Sequence, residues 1–184
     1  MNRSICFLRS VNMAGHNKIK MSALTQLFSD EGFSDVLTYI QSGNIIFTDP
    51  GKRNDEVLSG KIEKSISKAF NLNVSAVIRS VAELEHLTSR NPYLSEKDFN
   101  PSRMGVVFLR KEPVPEAVKK MDSIDFPPDK FEISGKEIFL FCPHGFGRSK
   151  LSTNFFENKM KVTGTARNWQ TIMKILDLAK NETE

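Results

Sequence analysis

The order of hydrophobic segments predicts an α+β protein built from two ferredoxin-like (split βαβ) subdomains packed together, with a C-terminal helix. Three observations carry that expectation. The first half reads βαββαβ by periodicity, the second half begins again as βαββα, and 184 residues suit two subdomains of about 90. The division is expected at residues 1–95 and 96–184.

In the first half, Ile5-Cys6-Phe7-Leu8 is a short β-type run, and Met21, Leu24, Leu27 and Phe28 then recur at helical spacing over residues 20–31 until Gly32. Strands at 35–40 and 44–48 flank the turn signal Gln41-Ser42-Gly43. Residues 55–70 place Val57, Leu58, Ile62, Ile66 and Phe70 on one helical stripe, and 74–78 reads as a strand. A short helix is expected over 81–90, followed by a polar, Pro-bearing stretch at 91–102.

The second half opens with a strand at 104–109, a short helix at 114–121, and strands at 131–134 and 137–141 around the turn Gly135-Lys136. A helix fits 153–160, with Ser149 or Ser152 as its cap. A short strand within 161–163 would complete the second unit. The last helix is expected over 166–179, with Thr165 as N-cap and Trp169, Ile172, Met173, Leu176 and Ala179 as its buried stripe. Arg167, Thr171 and Lys174 would share another face. Arg167 and Asn168 would then lie in the first turn, where backbone N–H groups are unpaired.

With 39% hydrophobic and 26% charged residues, the composition belongs to a folded protein and not a disordered chain. No apolar run approaches the roughly 20 residues that span a bilayer, and residues 1–20 lack the apolar centre of a signal peptide. A cytoplasmic protein without membrane contact is expected. Cys6 and Cys142 lie in apolar runs far apart, as buried reduced thiols do.

Charge is unevenly distributed. Residues 1–29 carry Arg3, Arg9, Lys18 and Lys20 without an acid, and residues 142–174 carry six cations against Glu157 alone. These segments hold +4 and +5, so the remaining chain holds −5 of the net +4. Each segment contains a polar, glycine-marked loop: Leu8 to Lys18 with Gln41 to Asn44, and Gly145 to Lys150 with Thr163 to Trp169. Cationic side chains, amides and backbone N–H groups freed by Gly are what an oxyanion needs. The candidate anion or ligand-binding residues are Arg9, Asn12, Asn17, Lys18, Gln41, Ser42, Asn44, Arg148, Ser149, Lys150, Arg167 and Asn168. Asn12 and Asn17 equally suit a structural role as caps of the turn and helix around them.

These motifs resemble those of the bacterial domain-of-unknown-function family numbered 1697. Its pattern has Leu-Arg-Gly-Ile-Asn-Val-Gly-Gly, Thr-Tyr-x-Gln-Ser-Gly-Asn, Gly-Arg-Ser-Lys and Thr-x-Arg-Asn-Trp, matched here at 8–15, 38–44, 147–150 and 165–169. The resemblance implies a duplicated ferredoxin-like fold and no established activity. Ser10 and Ala14 stand where that pattern has Gly, which puts side chains where backbone would otherwise meet a phosphate.

Stronger signatures are missing. There is no P-loop, Gly145-Phe-Gly147 is no dinucleotide fingerprint, and Cys142, His144, His16 and His86 lack companions for a zinc site. No metal or cofactor is expected, and no catalytic residue is assigned. Ser149 and Lys150 are adjacent on a loop, where side chains point apart, which argues against a Ser-Lys nucleophile. Phe7, Phe47, Phe108, Phe139 and Phe141 lie in hydrophobic runs and Trp169 on the helical stripe. They read as core residues and not base-stacking platforms.

The sequence therefore points to a polar, basic site for a phosphate-bearing small molecule or nucleotide. Nucleic-acid binding, an enzyme acting on a phosphorylated or anionic substrate, and a protein interaction module remain as alternatives. In the enzyme reading, Arg9, Arg148, Lys150 and Arg167 would stabilise developing negative charge. Oligomeric state is left open.

Overall fold

The computed structural model describes residues 3–13, 15–96 and 100–181. Ala14, one of the two departures from the glycine pattern, lies outside the described residues, as do 97–99 of the polar stretch. The elements run β1 (Arg3–Leu8), α1 (Met21–Asp30), β2 (Ser34–Tyr39), β3 (Asn44–Thr48), α2 (Asp55–Phe70), β4 (Ala76–Ser80) and α3 (Val81–Ser89). They continue as β5 (Met104–Leu109), α4 (Pro115–Lys119), β6 (Lys130–Ser134), β7 (Glu137–Phe141), α5 (Thr153–Met160), β8 (Gly164–Asn168) and α6 (Trp169–Lys180). The protein is mixed α+β, with two four-stranded antiparallel sheets ordered β2-β3-β1-β4 and β6-β7-β5-β8.

Two compact units contain these sheets: Met1–His86 with Lys174–Glu184, and Leu87–Met173. In the first, strand alternation puts Cys6, Leu8, Ile45, Phe47, Ala76 and Ile78 on one sheet face. Leu24 and Phe28 of α1 and Leu58, Ile62 and Ile66 of α2 cover that face. Each such Leu, Ile or Phe side chain contributes about 1.5–3 kcal/mol by leaving water. Asn54 caps α2, its Oδ1 accepting from Val57 N–H at 3.0 Å, and left-handed Asn71 ends it.

In the second unit, Val107, Leu109, Ile138 and Leu140 form the equivalent face under Phe156 and Met160 of α5, with Met121 and Leu151. Ser152 caps α5 through Phe155 N–H at 3.2 Å. Cys6 and Cys142 are buried free thiols. Burial pushes the Cys142 thiol up in pKa, against a lowering hydrogen bond with Ser149.

The last strand and helix differ from expectation. Lys161 is the left-handed C-cap of α5, so 161–163 forms no strand, and β8 instead occupies 164–168. The cause is the free edge of β5, whose buried N–H and C=O groups need a ladder partner. Gly164 to Asn168 supply it against Leu109 to Gly105. The helix therefore starts at Trp169, and Thr165 lies in the strand. Its buried positions are Trp169, Thr171, Ile172, Ile175, Leu176 and Ala179, while Met173 is 44% exposed. Ile175 thus takes the place expected for Met173. β4 is also displaced, to 76–80, and its first residue Ala76 donates its N–H to Glu63 at 2.9 Å.

Candidate functional site

The N-terminal candidates form a braced turn cluster in the first unit. Ser10, Asn12 and Asn17 have φ of 55°, 53° and 47°, and Gly15 has 82°. Asn tolerates the left-handed region, whereas Ser at position 10 takes a conformation that Gly enters at lower cost. That accounts for Gly at this point of the pattern the motif resembles. Asn12 Nδ2 donates to the carbonyls of Ile19 and Gln41, both at 2.9 Å, and its Oδ1 accepts from Ile19 N–H at 2.9 Å. Asn17 Nδ2 donates to Ser10 O at 3.1 Å. Fully buried Asn44 donates to Tyr39 O and Ser42 Oγ at 3.0 and 2.9 Å.

The turn at 41–44 meets the chain leaving β1, where Leu8 N–H donates to Gly43 O at 2.8 Å. Gly43 is required there: its φ is +73°, and a Cβ would come within 2.8 Å of Leu8 Cβ. The structure thus brings Asn12, Asn17, Gln41, Ser42 and Asn44 into one turn cluster, in which the Asn12, Asn17 and Asn44 amides bond backbone groups and Ser42 Oγ, and Gln41 takes part through its backbone carbonyl. Arg9 is half-buried, its N–H bonded to Ser75 O at 2.8 Å, and Lys18 is exposed.

In the second unit, the chain leaving β7 turns at Gly145, φ 86°, and makes a short 3-10 turn at Phe146–Arg148. Phe146 lies over bare Gly105 of β5, where a Cβ would stand 2.9 Å from its ring. Ser149 Oγ accepts from Leu151 N–H at 3.0 Å. With Phe146 and Ser149 committed inward, Arg148 and Lys150 are exposed, and both line an open groove of about 440 Å³. His144, Gly145 and the segment Asp125 to Asp129 complete it. Lys150 Nζ is 5.8 Å from the Phe126 ring centroid. Among the described residues neither Arg148 nor Lys150 is ion-paired. Two carboxylates, Asp125 and Asp129, line the same groove as the two cations.

Arg167 and Asn168 sit on β8 and not in a helix turn. Arg167 is 9% exposed and donates to Thr165 Oγ1 and Ala166 O, both at 2.8 Å. Asn168 Oδ1 accepts from Thr171 N–H at 2.7 Å and so caps α6. Glu157, the one acid between residues 142 and 174, accepts from Gly164 N–H at 2.9 Å. Asp125 and Asp129 were missed by sequence reasoning. Their signal is a pair of acids bracketing Pro127-Pro128 in a connection between elements, which looks like any surface turn.

Among the described residues there is no cluster of His, Cys, Asp and Glu fit to hold a metal, and no helix long and apolar enough to cross a membrane.

The fold and grooves define an α+β protein with two antiparallel sheets and an open, mixed-charge groove in the second unit. The chain belongs to DUF1697, a family described as proteins of unknown function, whose model matches residues 1–139. That match includes the loop after β1 and the 41–44 turn, and ends before Gly145. The chain is similar in fold to the solved structure of the conserved bacterial protein SP0830 from Streptococcus pneumoniae. The TM-score is 0.72 at 23% identity, over 97% of this chain and 99% of that one. A search of curated proteins finds no match.

Proposed function

We propose that the groove beside Arg148 and Lys150 binds a small phosphate-bearing molecule, and that a nucleotide is the class it suits best. The observation that carries this reading is two exposed cations, without ion-pair partners among the described residues, lining one groove that two carboxylates also line. The cations favour phosphate through charge-assisted hydrogen bonds. Asp125 and Asp129 disfavour a continuous phosphate backbone and suit the amino groups of a base. That asymmetry supports a nucleotide over a nucleic-acid strand. His144 in the same lining places a titratable group near the cations, which keeps an enzyme on a phosphorylated substrate as the second reading.

We read both sheets as ferredoxin-like, and residues 1–95 and 96–184 as the two stretches of sequence that each supply the strands of one sheet. This is supported by the shared antiparallel strand order and by the order βαββαβ in residues 3–80 and again in 104–168.

Calorimetric titration with a nucleotide panel tests the proposal. Replacing Arg148 and Lys150 by Ala should weaken binding by about 1–3 kcal/mol per lost charge-assisted bond while the unfolding midpoint stays. Affinity should fall only shallowly with salt. A salt slope worth five or more phosphates would favour nucleic acid. Unchanged binding with lost stability would make the two residues structural.

A further inference from the structure

The loops after β1 and β2, both in the first unit, are polar segments that the nucleotide reading leaves unused. Each also carries a large apolar side chain in solvent: Met13 is 60% exposed and Ile40 49%. One such residue alone would be ordinary. These two are linked, because the Asn12 Nδ2 bond to the Gln41 carbonyl joins the loops one residue from Met13 and one residue from Ile40.

The backbone of Ile40 supplies an independent observation. Its φ is 49°, in the left-handed region where a β-branched residue is an outlier. Such a conformation persists only where neighbours over-determine it. Here Asn12 and Asn44 brace the turn through their amides, and Gly43 approaches Leu8 and Val11 too closely for a Cβ. Asn or Gly would hold the same backbone with less strain, so what Ile adds is an apolar side chain presented by a rigid turn. Charge surrounds it with one sign. His16, Lys18 and Lys20 are exposed in the neighbouring loop, and neither lysine has an ion pair among the described residues. Residues 9–20 and 40–44 contain no acid, and the nearest in sequence, Asp30, Glu31 and Asp35, lie at the far ends of α1 and β2 from these loops.

We propose that this paired-loop surface docks an acidic segment of a partner protein, with Met13 and Ile40 as apolar anchors and Lys18 and Lys20 pairing its carboxylates. The charge selects an anionic partner. The braced anchors select a protein, because a preorganised loop loses little freedom on docking and a protein segment offers apolar side chains to meet them. A nucleic-acid strand favours stacking rings, and residues 9–20 and 40–44 contain no Phe, Tyr or Trp. A bilayer favours a broader apolar face than two side chains. The proposal uses none of the groove at Arg148 and Lys150 and stands apart from the nucleotide reading.

The test selects short random peptides by display on the full chain and measures the enriched ones by fluorescence anisotropy. Parallel arms use phosphatidylglycerol vesicles and labelled single-stranded RNA. Enriched peptides should be acidic and carry Leu, Ile or Phe, and they should bind Met13→Ser, and the paired Lys18→Glu and Lys20→Glu variant, about tenfold more weakly. Ile40→Asn should weaken the same peptides while raising the unfolding midpoint, since Asn tolerates the left-handed backbone. A purely structural Ile40 would change stability and leave binding alone. Enrichment of basic or neutral peptides, undiminished binding in any of these variants, binding confined to vesicles or RNA, or no enrichment would each overturn the proposal.

Discussion

Asn168 shows how one side chain settles the end of one element and the start of the next. It closes β8 opposite Gly105 and, from the same position, accepts the Thr171 N–H that α6 leaves unpaired. Asn168→Ala should therefore cost about 1 kcal/mol of stability, read as a shift in denaturant midpoint at constant slope. Glu31 offers a pH-dependent counterpart. A hydrogen bond from Ser65 and then one from Lys61, whose Nζ is 3.1 Å from Oε2, hold its carboxyl below the ordinary range. Because the folded pKa is the lower one, the unfolded chain binds the proton first. This stabilisation is present above the unfolded value and is lost as pH falls through the folded one. For a half-exposed pair it is below about 1 kcal/mol. Glu31→Gln should leave stability lower near neutrality and flatten its decline in acid, measured by urea denaturation across pH 2–6.

The loop at 145–150 depends on an element it does not belong to. Gly105 on β5 leaves the space that Phe146 fills, and its Cβ would also stand 3.0 Å from the Arg167 carbonyl of β8. Gly105→Ala should destabilise by about 1–3 kcal/mol through overpacking, and should weaken nucleotide binding by shifting the loop that carries Arg148 and Lys150. Unaltered affinity in that variant would mean that the loop holds its shape without the sheet. At this scale most elements were legible from periodicity: α2, α5, β3, β5 and β7 occupy the residues expected. The strand and helix at the C-terminal end were not. Gly164 to Asn168 carry no strong strand signal, and only the need of β5 for a second ladder partner decides them. Met173 and Ile175 were likewise exchanged, because a helix that begins at Trp169 after a strand presents a stripe whose members periodicity alone left ambiguous.

Across the whole chain, the first unit is discontinuous, joining Met1–His86 to Lys174–Glu184. Arg3 of β1 donates to the carbonyls of Ala179 and Asn181 at 3.2 and 2.7 Å, satisfying groups at the end of α6, and Lys180 pairs with Glu85 at 2.7 Å. Residues 1–95 expressed alone lack that returning segment. Their β1 amides should exchange faster than in the full chain, and equal protection would show that the segment contributes nothing to the strand. The sequence by itself determined the alternation of strands and helices, the apolar faces of both cores, and the segregation of positive charge into two segments, because these follow from local periodicity and composition. Only the tertiary structure decided which polar residues are consumed as braces and caps, as Asn12, Asn44 and Asn168 are, and which stay exposed, as Arg148 and Lys150 do. It alone placed Asp125 and Asp129 in the same lining as those cations. Hydrogen-bond satisfaction and charge juxtaposition are set by neighbours distant in the chain, and no local pattern encodes them.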